Sequence, residues 1–437
     1  MSGQELIALV CCDLGAIVRG RSVLAGEIEP ALQQGIGWVP ANHALTPLGP
    51  VAEPNPFGST GDLRLLPDPE TRIRVGGEDG SAALELMLCD IVETDGRPWE
   101  CCPRTFLRET LGALESELGA RANASFEHEF QLLSDAPVEL PFSLAGQRRA
   151  EPFATRVMNA LLDAGAEPER FFAEYAAHQF EIPVAAAGAL ASADRAVVMR
   201  EVVRDVAAAV GLRATFVPLL DPAGAGNGVH IHFSLSDSSG APLLFDPARP
   251  ACLSELGGSF AAGILRHAGA LTALTASSPV SGARLQPHRW SAGAACLALE
   301  NREALLRIPP LVGIGGAEPG AQLRLEYRAA DAAANPYLAL GSILRAGIEG
   351  VRDGLPTPPI LECDPAELDA AGAARFGVGV LPNTLADAMA ALAEDATARA
   401  WLGPLLHDAY ASVKRAEIES AHDEDLEETC RRYAQIY

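Results

Sequence analysis

Lysine is all but missing: Lys414 is the only one in the chain. Contacts to phosphate or carboxylate groups must therefore fall to arginine, which forks onto planar anions and stays charged in any environment. Positive charge is short overall, with 33 Lys and Arg against 57 Asp and Glu and a formal net charge of −24. That balance repels polyphosphate backbones and argues against nucleic acid as a partner. No Cys-x-x-Cys occurs among the nine cysteines, which include the adjacent pairs Cys11-Cys12 and Cys101-Cys102. Their spacing resembles no zinc site, and reduced, mostly buried thiols are expected. No apolar run reaches transmembrane length, and no basic segment precedes an apolar one at the N-terminus. A cytoplasmic protein with no membrane partner is the expectation.

What is present is ample core material. Hydrophobic residues make up 49% of 437 positions, enough for two domains. Glu5–Cys12 and Ala16–Val23 read as two strands around a short turn, and Ala82–Ile91 as a third strand. Between them, Pro40 to Pro69 is too rich in turn formers to be regular. Pro103 suits the start of a helix running through Leu118, which puts a domain boundary near residue 104. Further helices are expected over Ala191–Val210, over Pro336–Val351 with Asn335 as N-cap, and from Leu385 to the C-terminus.

Four short segments alternate polar and apolar residues with strand period, so that residues two apart share a face. In Phe126–Phe130 one face carries Glu127 and Glu129. In His178–Ile182 it carries Gln179 and Glu181, with Glu174 seven residues upstream. In Val229–Ser234 it carries His230, His232 and Ser234, and in Leu323–Arg328 it carries Arg324, Glu326 and Arg328. Any one of these alone reads as a half-exposed strand with a solvated face. Together they are harder to dismiss, because neighbouring carboxylates repel unless a cation sits between them. An oxygen-rich set with little nitrogen and no thiolate suits Mg2+ or Mn2+ rather than zinc. Arg302 and Arg307 add two more guanidiniums, and metal with several arginines is the recurring equipment of phosphoryl transfer. Gly224-Ala225-Gly226-Asn227-Gly228 runs into a strand and lacks a following Lys-Ser/Thr, so it is neither a Rossmann nor a P-loop motif. It reads as a tight turn whose backbone comes close to a ligand.

The order and spacing of these pieces resemble the glutamine synthetases and the related γ-glutamyl-amine ligases over nearly the full length. Cys12-Asp13 through Arg19-Gly20-Arg21, Pro67-Asp68-Pro69-Glu70-Thr71 and Pro98-Trp99 through Pro103-Arg104 match the N-terminal signatures. Glu127-x-Glu129, Gln179-x-Glu181, Gly226-x-Gly228-x-His230-x-His232-x-Ser234, Asn301-Arg302 and Glu326-x-Arg328 followed by Asn335-Pro336-Tyr337 match the catalytic ones. The resemblance implies an α+β fold. A small N-terminal β-grasp domain (1–104) precedes a larger catalytic domain (105–437), with a curved antiparallel sheet flanked by helices. It implies ATP and Mg2+ or Mn2+ as cofactors. Glu129, Glu174 and Glu181 would ligate the metal facing the substrate, and Glu127, His230 and Glu326 the metal on the ATP phosphates. Arg302 and Arg307 would face the phosphates, Arg324, His232 and Ser234 the nucleotide, and Gly226, Arg284 and Arg328 the amino acid. A γ-carboxylate would be phosphorylated and the acyl phosphate then aminolysed. A ring-shaped homo-oligomer is implied, commonly a dodecamer of two hexameric rings, with each site shared between neighbouring subunits.

Two departures bear on the amine. Phe57 stands where the family has an ammonium-site Asp, and the flap Gln286–Ala292 contains no carboxylate. An Asn that contacts the amino acid is replaced by Ala225, so glutamate or a related carboxylate is expected. A site without those acids disfavours a bare ammonium ion, and an organic amine lying near Phe57 and Trp290 is the expected substrate. His288 is the candidate replacement base, and the alternative is a solvent-exposed flap histidine. The rival readings are an ordinary glutamine synthetase using ammonium and a non-catalytic structural member of the family.

Overall fold

The computed structural model describes residues 5–76 and 82–437. Leu6–Cys12 and Val18–Leu24 form an antiparallel hairpin. Its turn is closed by Asp13, whose carboxylate accepts from the Gly15 and Ile17 backbone N–H groups at 2.9 and 2.8 Å. Leu84–Glu93 lies parallel to the first strand, and with Ile36–Trp38, Leu63–Pro67 and Ile73–Val75 these make a six-stranded mixed sheet. Leu63–Pro67 falls inside the stretch expected to be irregular. Leu63 and Leu65 alternate into the core at 2% and 0% exposure, and the strand's proline sits at its last position. Period-2 burial there outweighs the surrounding turn formers.

The larger sheet has ten strands and is antiparallel through its centre. Parallel pairing is confined to Ala294–Leu299, which lies against Ala304–Ile308 and Ile360–Leu361. All four alternating segments are strands of this sheet, as Arg121–Leu133, Gln179–Ile182, Val229–Ser236 and Leu325–Tyr327. The expected helices are present as Pro103–Leu118, Ala189–Ala209 and Pro336–Arg352, and then as Leu385–Glu394, Ala396–Ser420 and Leu426–Tyr433. Asn335 caps its helix by accepting from the Tyr337 and Leu338 N–H groups at 3.0 and 3.2 Å. That helix meets Glu255–Arg266 backbone to backbone, since a Cβ on Gly350 would stand 2.1 Å from the Ser259 carbonyl oxygen. Among the described residues no helix is long and apolar enough to cross a membrane.

The N-terminal signatures have a structural role. Arg104 is 3% exposed and donates to Asp68 at 2.7 Å, Asp90 at 3.1 Å and Asp194 at 2.9 Å. Asp90 lies on a strand of the smaller sheet and Asp68 directly follows one, while Asp194 comes from helix Ala189–Ala209. One guanidinium therefore clamps the two halves of the chain together.

Candidate active site

Strand register assembles the site. Strands Gln179–Ile182, Arg121–Leu133, Val229–Ser236, Leu325–Tyr327 and Ala304–Ile308 lie side by side in that order. Glu181 stands opposite Glu129, Glu127 opposite His230, and His232 opposite Glu326, which in turn faces Arg307. A polar row thus crosses five strands on one face, while Phe126, Phe130, Ile231 and Phe233 fill the core on the other. Gly228 stands opposite Glu129, and its N–H donates to the Glu129 carboxylate at 2.8 Å. A side chain there would crowd Arg284 Nη1 at 3.1 Å and His230 Nε2 at 3.2 Å. At Gly226 a Cβ would fall 2.6 Å from Arg284 Cγ, so these glycines admit a protein arginine to the site. The Gly226 carbonyl already accepts from Gln179 Nε2 at 2.8 Å.

The row borders a cavity of about 520 Å³. Glu127, Glu129, Glu174, Glu181, Glu326, His230 and His232 line it. So do Arg302, Arg307, Arg324, Arg284 and Arg328, together with Gly226 and Trp290. His232 Nε2 is 3.1 Å from Glu127, and His230 Nδ1 is 3.8 Å from both Glu127 and Glu326. Donor atoms of Glu127, His232 and Glu326 all lie within 4.8 Å of one another. Arg324 Nε donates to His232 Nδ1 at 3.1 Å.

Charge is distributed unevenly across the cavity. Burial opposes the Glu326 carboxylate, but Arg328, the two imidazoles and Arg307 outweigh it and hold its pKa at about 2. Arg307 reaches Glu326 at 2.6 Å, and Arg328 pairs with its other oxygen. Burial likewise opposes Glu127, which His232 and His230 hold well below the carboxylate range. The opposite end has no such support. Burial and the facing Glu129 charge push Glu181 up to about 10 and Glu174 up to about 7. Among the described residues none of Glu129, Glu174 and Glu181 has an ion-pair partner within 4 Å, in contrast to Glu127 and Glu326. Like-charged pairs facing each other across a sheet are unfavourable without a cation between them. Arg284 Nε and Arg307 Nε are buried without a hydrogen-bond partner among the described residues. The donor set thus fits a divalent cation at the acid end and an anion at the arginine end.

Three expected site residues stand apart from this cavity. Ser234 lies further along the same face of its strand and does not line the cavity. Phe57 packs on Trp99 in the N-terminal domain, with ring centroids 5.5 Å apart. His288 is an exposed flap residue that turns away, with Nδ1 3.6 Å from Asp364. Its backbone is held at φ 63° with its N–H on Glu303 at 2.9 Å, and this turn directs the imidazole outward. Sequence reasoning missed Phe142, Phe172, Tyr175, Arg170 and Arg289, which also line the cavity. In a chain so poor in aromatics, Phe171, Phe172 and Tyr175 flanking Glu174 were the available signal.

Comparison with known proteins places this geometry. The family models for the glutamine synthetase N-terminal domain and the glutamine synthetase catalytic domain match residues 2–99 and 100–433. The chain is 35% identical to a γ-glutamylpolyamine synthetase of Streptomyces coelicolor, across 100% of this chain and 95% of that protein. It is 32% identical to a glutamine synthetase of Halobacterium salinarum, across 95% and 90%. A crystal structure described as a novel glutamine synthase homolog superposes with a TM-score of 0.93 at 44% identity, covering 100% of this chain and 99% of that one. The GmaS/ADP complex superposes with a TM-score of 0.82 at 27% identity, covering 97% and 95%. The chain belongs to the glutamine synthetase family and is an ATP-dependent ligase.

Proposed function

We propose that this ligase joins the γ-carboxylate of glutamate, or a closely related acid, to an organic amine. The observation that carries this is the cavity itself. All five of its glutamates belong to the cluster of facing carboxylates, four on strands and Glu174 directly after one, and no further glutamate from the flap lines the cavity to hold an ammonium ion. The γ-glutamylpolyamine synthetase relative supports an amine other than ammonia.

Glu129, Glu174 and Glu181 would hold one divalent cation, Mg2+ or Mn2+, and Glu127, Glu326 and His230 or His232 a second. Such cations neutralise the carboxylates and the phosphate charge. Arg302 and Arg307 would contact the phosphates, with the unpartnered Arg307 Nε as a free donor. Arg324, His232 and Ser234 would face the nucleotide. Arg284, with its own free Nε, and Arg328 would orient the amino acid's carboxylates beside Gly226. A γ-carboxylate oxygen attacks the γ-phosphorus of ATP, and the bond to ADP breaks. The amine nitrogen then attacks the acyl carbon, loses a proton, and phosphate leaves with the carboxylate oxygen. His288 faces away from the cavity, so the amine is best supplied as its neutral form. A ring assembly, of the dodecameric kind found in the family, would bring a neighbouring subunit's Phe57 to the amine side.

Phosphate release with glutamate and ATP fixed tests the reading across ammonium, alkylamines, polyamines and anilines. At least one organic amine is expected to exceed ammonium in kcat/KM by about tenfold or more. Ammonium giving the highest kcat/KM would overturn it.

A further inference from the structure

Four aromatic side chains form a continuous wall along the cavity that holds the glutamate cluster. Trp290 and Tyr175 have ring centroids 5.5 Å apart, Tyr175 and Phe142 4.9 Å, and Phe142 and Phe172 6.4 Å. All four line the cavity, yet Trp290 is 54% exposed, Phe142 49% and Tyr175 48%. Aromatic surface left open beside a catalytic cluster has value only when something covers it.

The wall is held in place rather than loosely draped. Trp290 adopts φ 56°, a left-handed conformation that is unfavourable for a bulky residue. Glu303 maintains it by accepting the Trp290 N–H at 3.0 Å. The Trp290 carbonyl accepts from Arg328 Nη2 at 2.8 Å, and Arg328 also pairs with Glu326. Tyr175 follows the cluster residue Glu174 directly. Trp290 and Tyr175 are therefore both tied to the reacting centre.

Charge along the cavity narrows what can lie there. Two further cations, Arg170 and Arg289, line the same cavity as the aromatic wall, besides the five arginines already named. Arg170 is paired with Glu169 at 3.1 Å. Arg289 donates to the Gly224 and Pro222 carbonyls, both at 2.8 Å, and forms no ion pair among the described residues. Aromatic faces alone would tolerate an ammonium group. The five glutamates of the lining all belong to the cluster proposed to hold divalent cations, so guanidiniums beside the wall disfavour a further ammonium.

We propose that the aromatic wall of Phe142, Phe172, Tyr175 and Trp290 receives the uncharged tail of a primary monoamine, and that Arg170 and Arg289 select against a second, distal ammonium. This rests on the amine-ligase reading above and specifies its substrate class. The chemistry is that of an alkylamine or arylalkylamine, not a polyamine.

The probe is a near-isosteric pair, pentylamine and putrescine, which differ at the far end in a methyl against an ammonium group. Initial rates are measured on the full-length enzyme with saturating glutamate and ATP, with phenethylamine and ammonium alongside. Pentylamine is expected to exceed putrescine in kcat/KM by about tenfold or more. Trp290→Ala and Tyr175→Ala should each raise the pentylamine and phenethylamine KM by about tenfold, with glutamate and ATP KM unchanged. Arg289→Gln should narrow the gap between pentylamine and putrescine. Putrescine matching or beating pentylamine in the parent enzyme would overturn the proposal. So would aromatic variants that leave the amine KM unchanged. Ammonium outperforming every amine would instead defeat the organic-amine reading, a separate outcome. Binding provides a readout independent of turnover: pentylamine, but not putrescine, should change the intrinsic fluorescence of the parent protein, and Trp290→Phe should remove that change. Equal responses to both amines would count against the proposal.

Discussion

Replacing Glu129 with alanine is expected to lower ligase turnover by about 10³-fold or more while leaving the protein folded. Glu129 is the residue on which the acid end of the cavity converges. It faces Glu181 across the sheet, raises both Glu181 and Glu174, and takes the Gly228 N–H at 2.8 Å. Its removal leaves no buried charge unpaired; it relieves a repulsion. The cation-free variant should therefore melt no lower than the parent. The accompanying pH behaviour follows from the same geometry. An acid whose folded pKa is raised from 4.5 to about 10 binds more protons folded than unfolded across that window. Stability of the cation-free protein should thus fall as pH rises through it. A divalent cation reverses this, because it binds the deprotonated carboxylates and binds them more tightly as pH rises. Differential scanning fluorimetry with and without Mg2+ should show a Tm gain that grows with pH in the parent and is largely lost in Glu129→Ala. A variant with parental turnover, or a parent whose Tm ignores Mg2+ and Mn2+, would contradict the assignment.

Lys414→Met is expected to cost about 3–5 kcal/mol of stability, although the side chain does not line the cavity. The chain's single lysine is fully buried at 0% exposure, and so is Glu417, its partner at 2.8 Å. Glu417 also accepts from Tyr433 at 3.1 Å, and the Lys414 ammonium lies 5.3 Å from the Tyr410 ring centroid. This buried group seats the C-terminal helix Leu426–Tyr433 against Ala396–Ser420. Beyond it, Tyr437 donates to the Gly15 carbonyl at 2.8 Å and closes the C-terminus onto the first hairpin. Removing only the lysine leaves a carboxylate in a dry interior. Removing both charges, as in Lys414→Met with Glu417→Leu, should recover much of the loss. Urea denaturation of parent, single and double variants measures it. A single variant as stable as the parent would show that the pair is not charged in the folded protein.

The parts of this protein that were legible in its sequence share a local cause. Glu127 with Glu129, and His230 with His232, stand two apart on strands whose other residues are apolar, and period-2 alternation declares a face without help from the rest of the chain. Pro103 and Asn335 announced their helices by the same kind of local chemistry. Which strand lies beside which is not local. That Glu181 meets Glu129 rather than His230 depends on sheet order and register, which alternation leaves open. The aromatic wall was legible only in part: Trp290 was read into the amine side, but residues 142, 172, 175 and 290 have no common period and meet only in three dimensions. For His288 the sequence left two readings, a replacement base in the cavity and a solvent-exposed flap histidine. Its positive φ and the Glu303 anchor decide for the second, and neither shows in the residue's identity. Leu63–Pro67 was hidden among prolines and glycines whose turn signals outweighed two alternating leucines.

If this cavity activates a carboxylate by phosphorylating it, one carboxylate oxygen must leave on the released phosphate. Glutamate labelled with 18O in its γ-carboxylate is incubated with ATP, Mg2+, an amine substrate and the enzyme, and the released phosphate is analysed by mass spectrometry. One 18O is expected in each phosphate released, because the carboxylate oxygen that attacks phosphorus departs with it. Unlabelled phosphate accompanying amide formation would show that the carboxylate was never phosphorylated, and would contradict the account.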